Sequence, residues 1–243
     1  MPHQLLFTHF LNDHFAAPVT ALLNAFHVHP QYPDAPITNA FAMELLVFAI
    51  LIAYFVVIRL TLSVEKPGGV QHLAEMTNEF VSEQGQSIIG HGSEKFVSYL
   101  TALLLFILLS NLIGLVPGLE SPTMSPVVPL GFALVTFLYY HYHGIRSNGG
   151  AYIKQFLGPV WWLSWLLLPI EIISHLARVL SLTVRLYANM FAGDLVTLAF
   201  FSLVPIGIPL IFLGLHLGVA VVQAYVFFLL ATIYLSLAVA HDH

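Results

Sequence analysis

The 243-residue chain has no cysteine, which excludes disulfides and Cys-ligated zinc or iron–sulfur centres and leaves the redox compartment unread. Charge is almost as scarce. Asp, Glu, Lys and Arg make up 8% of the residues, against roughly 25% in soluble domains. No basic run is available to hold a nucleic acid. The hydrolase patterns H-E-x-x-H and G-x-S-x-G are missing, and His91-Gly92-Ser93-Glu94 is followed by Lys95, so H-x-x-E-H fails as well. No internal repeat of the kind common in secondary transporters is visible. What the chain does have is apolar bulk: 58% hydrophobic residues and a mean hydropathy of +0.88. The expected fold is therefore an all-α integral membrane protein with about five membrane helices.

Residues 1–40 form a His-rich leader (His3, His9, His14, His27, His29) without Lys or Arg, and therefore without the basic start of a signal peptide. His27-x-His29 offers too few ligands for a metal site. Residues 41–243 are expected to form a single helical membrane domain, with membrane helices at 41–62, 96–116, 127–143, about 160–204 and 210–240. Between the first two, residues 71–89 place Leu73, Thr77, Phe80, Gln84 and Ile88 at helical spacing beside a row of Glu75, Glu79 and Glu83. That pattern fits an amphipathic helix on the membrane surface or an ordinary soluble connector. Arg59, Lys66, Lys95, Arg146 and Lys154, five of the seven basic residues, fall on one predicted side. The positive-inside rule then puts the N-terminus outside and the C-terminus in the cytoplasm. Tyr139, Tyr140 and Tyr142 read as an interfacial belt, in which His141 and His143 would hydrate. Asn111, deep in the second span, suits either an interhelical hydrogen bond or a group wetting a proton path.

The C-terminal region does not fit a single upright span. From the anchoring Trp161, Trp162 and Trp165 no convincing stop appears before Pro205, and Leu166 to Phe201 as one helix would reach about 54 Å, against an apolar layer of about 30 Å. Leu210 to Ala240 raises the same problem. A strongly tilted helical hairpin is expected, with Pro169 tolerated in the first turn of its first arm. On that arm Glu171, Ser174, His175, Arg178, Ser181, Arg185 and Asn189 share a sector of about 120°, and Asp194 projects about 180° from Arg185. On the second arm His216 and Gln223 are nearly in register, with Tyr234 in line. An intramembrane arginine costs about 2.5–3.5 kcal/mol on insertion scales, and so marks a functional site. Arg185 keeps its proton at physiological pH and cannot relay one. It can hold a carboxylate ionised, while Glu171, His175, Asp194 and His216 can exchange protons. A fixed cation between two titratable groups suits a proton path coupled to something that moves.

The segments S-L-T-V-R-L-Y-A-N-M-F-A-G-D-L at 181–195, H-L-G-V-A-V-V-Q-A-Y-V-F at 216–227 and N-L-I-G-L-V-P-G at 111–118 resemble subunit a of the F-type (rotary) ATP synthase membrane sector, over nearly the whole chain from Phe41. The resemblance implies a stator proton channel without a nucleotide site, metal or cofactor, seated in a bacterial inner membrane. Two offset half-channels would protonate and deprotonate the carboxylates of a rotating c-ring and so couple proton flow to ATP synthesis. It implies that Arg185 is the essential ring-facing cation, with Asn189, Gln223 and Arg178 at that interface. Asp194 and His216 would form the outer half-channel with Asn111. Glu171, Ser174 and Ser181 would line the inner one, with His175 on the proton path. The implied partners are the c-ring, the peripheral-stalk b subunits and the lipid bilayer. Gly114, where some relatives carry an acid, and Arg178, where others carry Lys, depart from the pattern. The competing expectation is a proton-coupled secondary transporter that binds an anionic substrate at Arg185, which would call for inverted repeats and short broken helices.

Overall fold

The computed structural model describes residues 4–25, 27, 32, 34–63, 68–116, 118–149, 152, 164–203 and 207–240. His3, His29, Lys66, Lys154, Trp161, Trp162 and the break at Pro205 lie outside them. The described residues hold seven α-helices and no strand: α1 (Leu6–Ala25), α2 (Asn39–Thr61), α3 (Gly69–Ile89), α4 (Glu94–Ile113), α5 (Val127–Asn148), α6 (Ser164–Leu203) and α7 (Ile208–Val239). A short 3₁₀ turn, Pro122–Met124, precedes α5. Helices α2, α4, α6 and α7 are long and apolar enough to cross a membrane. The chain is an all-α, multi-pass membrane protein.

Its core is built where α4, α5, α6 and α7 meet, with α3 laid against α4 and α7, α2 beside α4, and α1 against α2. Ala220, Ala224, Ala231 and Ala238 are all buried on α7. These small side chains let neighbouring backbones approach closely, which matters where lipid tails offer no hydrophobic drive for helix association. Phe227, Phe228 and Leu235 fill the space between them, with Leu100 and Ile107 of α4 and Leu186 and Met190 of α6 in the same cluster.

Helix α3 presents three faces. Gln71, Val81 and Gly85 are buried. Leu73, Met76 and Phe80 are exposed and apolar, and Glu75, Glu79 and Glu83 occupy a third sector. Such a helix suits a membrane interface better than water or lipid alone. The leader helix α1 is tied down by Asn12, whose Nδ2 donates to the Ile37 carbonyl (3.1 Å) and whose Oδ1 accepts from the Ile37 N–H (3.0 Å). Thr38 then caps α2, its hydroxyl accepting from the Phe41 N–H.

The long arms are unbroken. Helix α6 runs for 40 residues and α7 for 32, about 60 Å and 48 Å at 1.5 Å per residue. Rods of that length fit an apolar layer of about 30 Å only when strongly tilted, or when their ends emerge from it. The described part is already helical at Ser164, so Pro169 lies beyond the first turn, and the Trp165 carbonyl loses its intrahelical partner.

Candidate functional site

Helix α6 buries one face: His175, Val179, Leu182, Thr183, Leu186 and Met190 point into the bundle. At 100° per residue this face is centred about 110° from Arg185. The opposite sector, with Leu180, Val184, Phe191 and Leu195, is exposed and apolar. Arg185 stands on one border between the two faces and Asp194 on the other. Both are partly buried.

Arg185 donates to the Ser181 hydroxyl one turn back, at 3.2 Å. Among the described residues no carboxylate lies within ion-pair distance of it. Asn189, one turn on, and Gln223 of α7 are likewise partly buried. Ser174 is partly buried on the same stripe, and Ser181 is exposed.

About 15 Å along the axis to one side of Arg185, α5, α6 and α7 enclose a cavity of about 130 Å³ lined by Tyr140, Tyr152, Glu171, His175, Arg178 and Tyr234. Its centre is His175. One ring nitrogen, Nε2, lies 3.2 Å from the Glu171 carboxylate, and the other, Nδ1, lies 2.8 Å from the Tyr140 hydroxyl. Tyr152 in turn bonds His141 Nδ1 at 2.7 Å. Burial raises the pKa of the Tyr152 phenol, opposed by the nearby Arg178 cation, so that phenol keeps its proton. Arg178 holds its guanidinium 5.2 Å from the centroid of the Tyr234 ring, a cation–π distance. It lies with Glu171 and His175, not with Asn189 and Gln223.

On the other side of Arg185, about 13 Å along the axis, Asp194 and His216 line a second cavity of about 520 Å³, with Gly114, Thr197 and Gly207 among its walls. His216 is only 5% exposed, and its Nε2 is buried with no protein partner among the described residues. A buried polar atom of this kind is the exception in proteins and calls for a reason. Gly114 leaves no room for a larger residue: a Cβ there would meet Ser121 Cβ at 2.7 Å.

Asn111 is not on either cavity. It is fully buried, with Nδ2 donating to the Ala220 carbonyl (3.1 Å) and Oδ1 accepting from the Thr123 hydroxyl (2.8 Å). It ties α4 to α7 and to the 3₁₀ turn. Of the two possibilities open to this amide, the interhelical hydrogen bond is the one the structure contains.

The tyrosines expected to form an interfacial belt divide between two environments. Tyr142 is 58% exposed, as an interfacial residue would be, whereas Tyr140 is 2% exposed and belongs to the His175 cluster. Two residues apart on a helix means about 200°, so the run Tyr139–His143 cannot all face one way. Ala133, Thr136, Tyr140 and Gly144, all buried, mark the inward face of α5. Their small or polar spacing was the available signal.

The family model described as "ATP synthase A chain" matches residues 41–236. ATP synthase subunit a of Koribacter versatilis is 58% identical over 100% of both chains. The corresponding protein of Solibacter usitatus is 44% identical over 96% of this chain and 99% of its own. ATP synthase subunit a 1 of Syntrophotalea carbinolica is 38% identical over 100% of both.

Proposed function

The chain belongs to the ATP synthase A chain family, and from that premise we propose that it is the stator proton-channel subunit of a rotary ATP synthase, working against a ring of c subunits. The observation that carries this reading is the setting of Arg185, a half-buried cation without a described carboxylate partner, between two cavities that each hold an acid and a histidine, Glu171 and His175 in one and Asp194 and His216 in the other. A buried charge without a partner is costly. A carboxylate on a neighbouring subunit would relieve that cost, and the exposed apolar sector of α6 beside Arg185 offers a surface for such a subunit.

A proton enters from outside through the Asp194–His216 cavity and neutralises a ring carboxylate. The ring carries it almost fully round. On its return, Arg185 favours the ionised form of that carboxylate, because a nearby positive charge lowers an acid's pKa. The proton leaves along Glu171 and His175 towards the cytoplasm, with Ser174 and Ser181 beside the path. Arg185 blocks the direct route between the cavities, since it neither releases its own proton nor tolerates a second cation close by. Each proton moved down a 100 mV potential releases about 2.3 kcal/mol. Asn189 and Gln223 flank the ring interface, and the b subunits of the peripheral stalk hold the chain against rotation. The N-terminus lies outside and the C-terminus in the cytoplasm of a bacterial inner membrane.

The transporter alternative needs discontinuous helices at its binding site, and the unbroken α6 and α7 weigh against it. The test is Arg185→Ala in the intact complex in membrane vesicles, measuring ATP-driven proton pumping. Pumping is expected to fall to background. Unimpaired coupled pumping would overturn the reading.

A further inference from the structure

A third cavity lies away from the proton path, where three helix ends meet. Its volume is about 650 Å³, far beyond the roughly 30 Å³ of one water and within the range of small-molecule sites. Lys95 reaches it from the first turn of α4, Arg146 from the last turn of α5, and Val239 from the last residue of α7. His91 and His143 line it as well. Among the described residues no Asp or Glu lines it, and neither Lys95 nor Arg146 has a carboxylate within ion-pair distance. Ile89, Phe96 and Val239 give the lining its apolar part, and the Phe96 ring meets His143 edge-on at 5.0 Å.

Two cations on one cavity, with no carboxylate partner among the described residues, call for an anion. Their position at helix ends of a membrane bundle suits the level of lipid headgroups, and the apolar part of the lining suits the first carbons of a lipid chain. We propose that this cavity binds the phosphodiester headgroup of an anionic phospholipid, with Lys95 and Arg146 holding the phosphate and Phe96 and Val239 lying along the upper acyl chain. Basic pockets between membrane helices recognise anionic headgroups in this way. Arg146 supplies a planar fork for two phosphate oxygens and Lys95 a compact point charge. A free phosphate would satisfy the cations but leave the apolar part of the lining unused. The proposal is independent of the proton-channel reading, since none of these residues lies on the Arg185 stripe.

The test labels the intact complex in liposomes with diazirine-bearing phosphatidylglycerol, and separately with diazirine-bearing phosphatidylcholine, followed by peptide mapping. In the unmodified protein the phosphatidylglycerol label is expected on the segments carrying Lys95–Phe96 and Arg146–Ser147, and the zwitterionic probe is expected to leave them unlabelled. The K95Q/R146Q double variant should lower the apparent affinity for the anionic probe about thirtyfold, two cationic contacts having been removed. Equal labelling by both lipids, or an unchanged affinity in the double variant, would overturn the proposal. Loss of label in the presence of inorganic phosphate would replace the lipid by the free anion. A polypeptide of a neighbouring subunit seated in the cavity of the assembled complex would replace it by a protein contact. The mapping on unmodified protein decides the matter even if the double variant fails to assemble.

Discussion

The imidazole of His216 in α7 packs on the bare Cα of Gly193 in α6: a Cβ built on that glycine would lie 3.1 Å from Cδ2 and 3.2 Å from Nε2 of the ring. Gly193 is next to Asp194, so the same turn of α6 that carries the acid also makes room for the histidine. Gly193→Ala is therefore expected to push the His216 ring by a few tenths of an ångström within the Asp194 cavity, with little effect on the helix, where Ala is favoured over Gly. Proton uptake in vesicles should slow, while assembly of the complex is unchanged. Wild-type conductance in a fully assembled complex would show that the position of His216 does not matter to uptake.

Asp194→Asn tests the same cavity from the other wall. The amide keeps the shape of the carboxylate but cannot exchange a proton at neutral pH. Passive proton conductance through the membrane sector is expected to fall at least about tenfold, equivalent to roughly 1.4 kcal/mol on the barrier. Conductance at the wild-type level would remove Asp194 from the path.

The contrast between these two residues shows what was legible in the chain. Asp194, His216, Glu171 and Arg185 stood out because a charge or imidazole is rare among apolar neighbours, and helical periodicity sufficed to place the first and last on opposite sides of α6. Gly193 carries no such signal, because its importance lies in a ring contributed by a helix more than twenty positions away. Tyr140 was hidden for a related reason: a tyrosine beside other tyrosines at a helix end looks interfacial until the partner on α6 is known. The continuity of α6 and α7 was likewise open, since the sequence bounds a length but not a break. Arg178 shared the Arg185 stripe by angle, and only the position of Tyr234 on α7 drew it to the other cluster.

His175 joins Glu171 to Tyr140 through its two ring nitrogens. Replacing it by an apolar residue of similar bulk, His175→Leu, cuts that connection but keeps the volume. Proton release on the inner side is expected to slow several-fold, with more effect on ATP-driven pumping than on assembly. His175→Gln, which retains a donor and an acceptor, should recover part of the loss. Equal rates in both variants and the wild type would confine His175 to packing.

Asn111 provides the test in which stability, and not proton flow, should respond. Its amide spans α4, α7 and the 3₁₀ turn at zero exposure, and the Thr123 hydroxyl is bonded also to Ser121, which donates to the Ser110 carbonyl. Asn111→Leu removes the amide and leaves the Ala220 carbonyl without this donor and the Thr123 hydroxyl without this acceptor, buried where water cannot replace them. The Ala220 carbonyl keeps the N–H one turn on in its own helix and the Thr123 hydroxyl keeps Ser121, so the loss is that of two net hydrogen bonds, about 0.5–1.5 kcal/mol each. The complex carrying the variant should therefore lose this chain at a lower temperature or detergent concentration than the wild type. The proton conductance of those complexes that remain intact should be near normal, because Asn111 lines neither cavity. A thermally normal complex with impaired conductance would reverse this assignment and return the amide to the proton path.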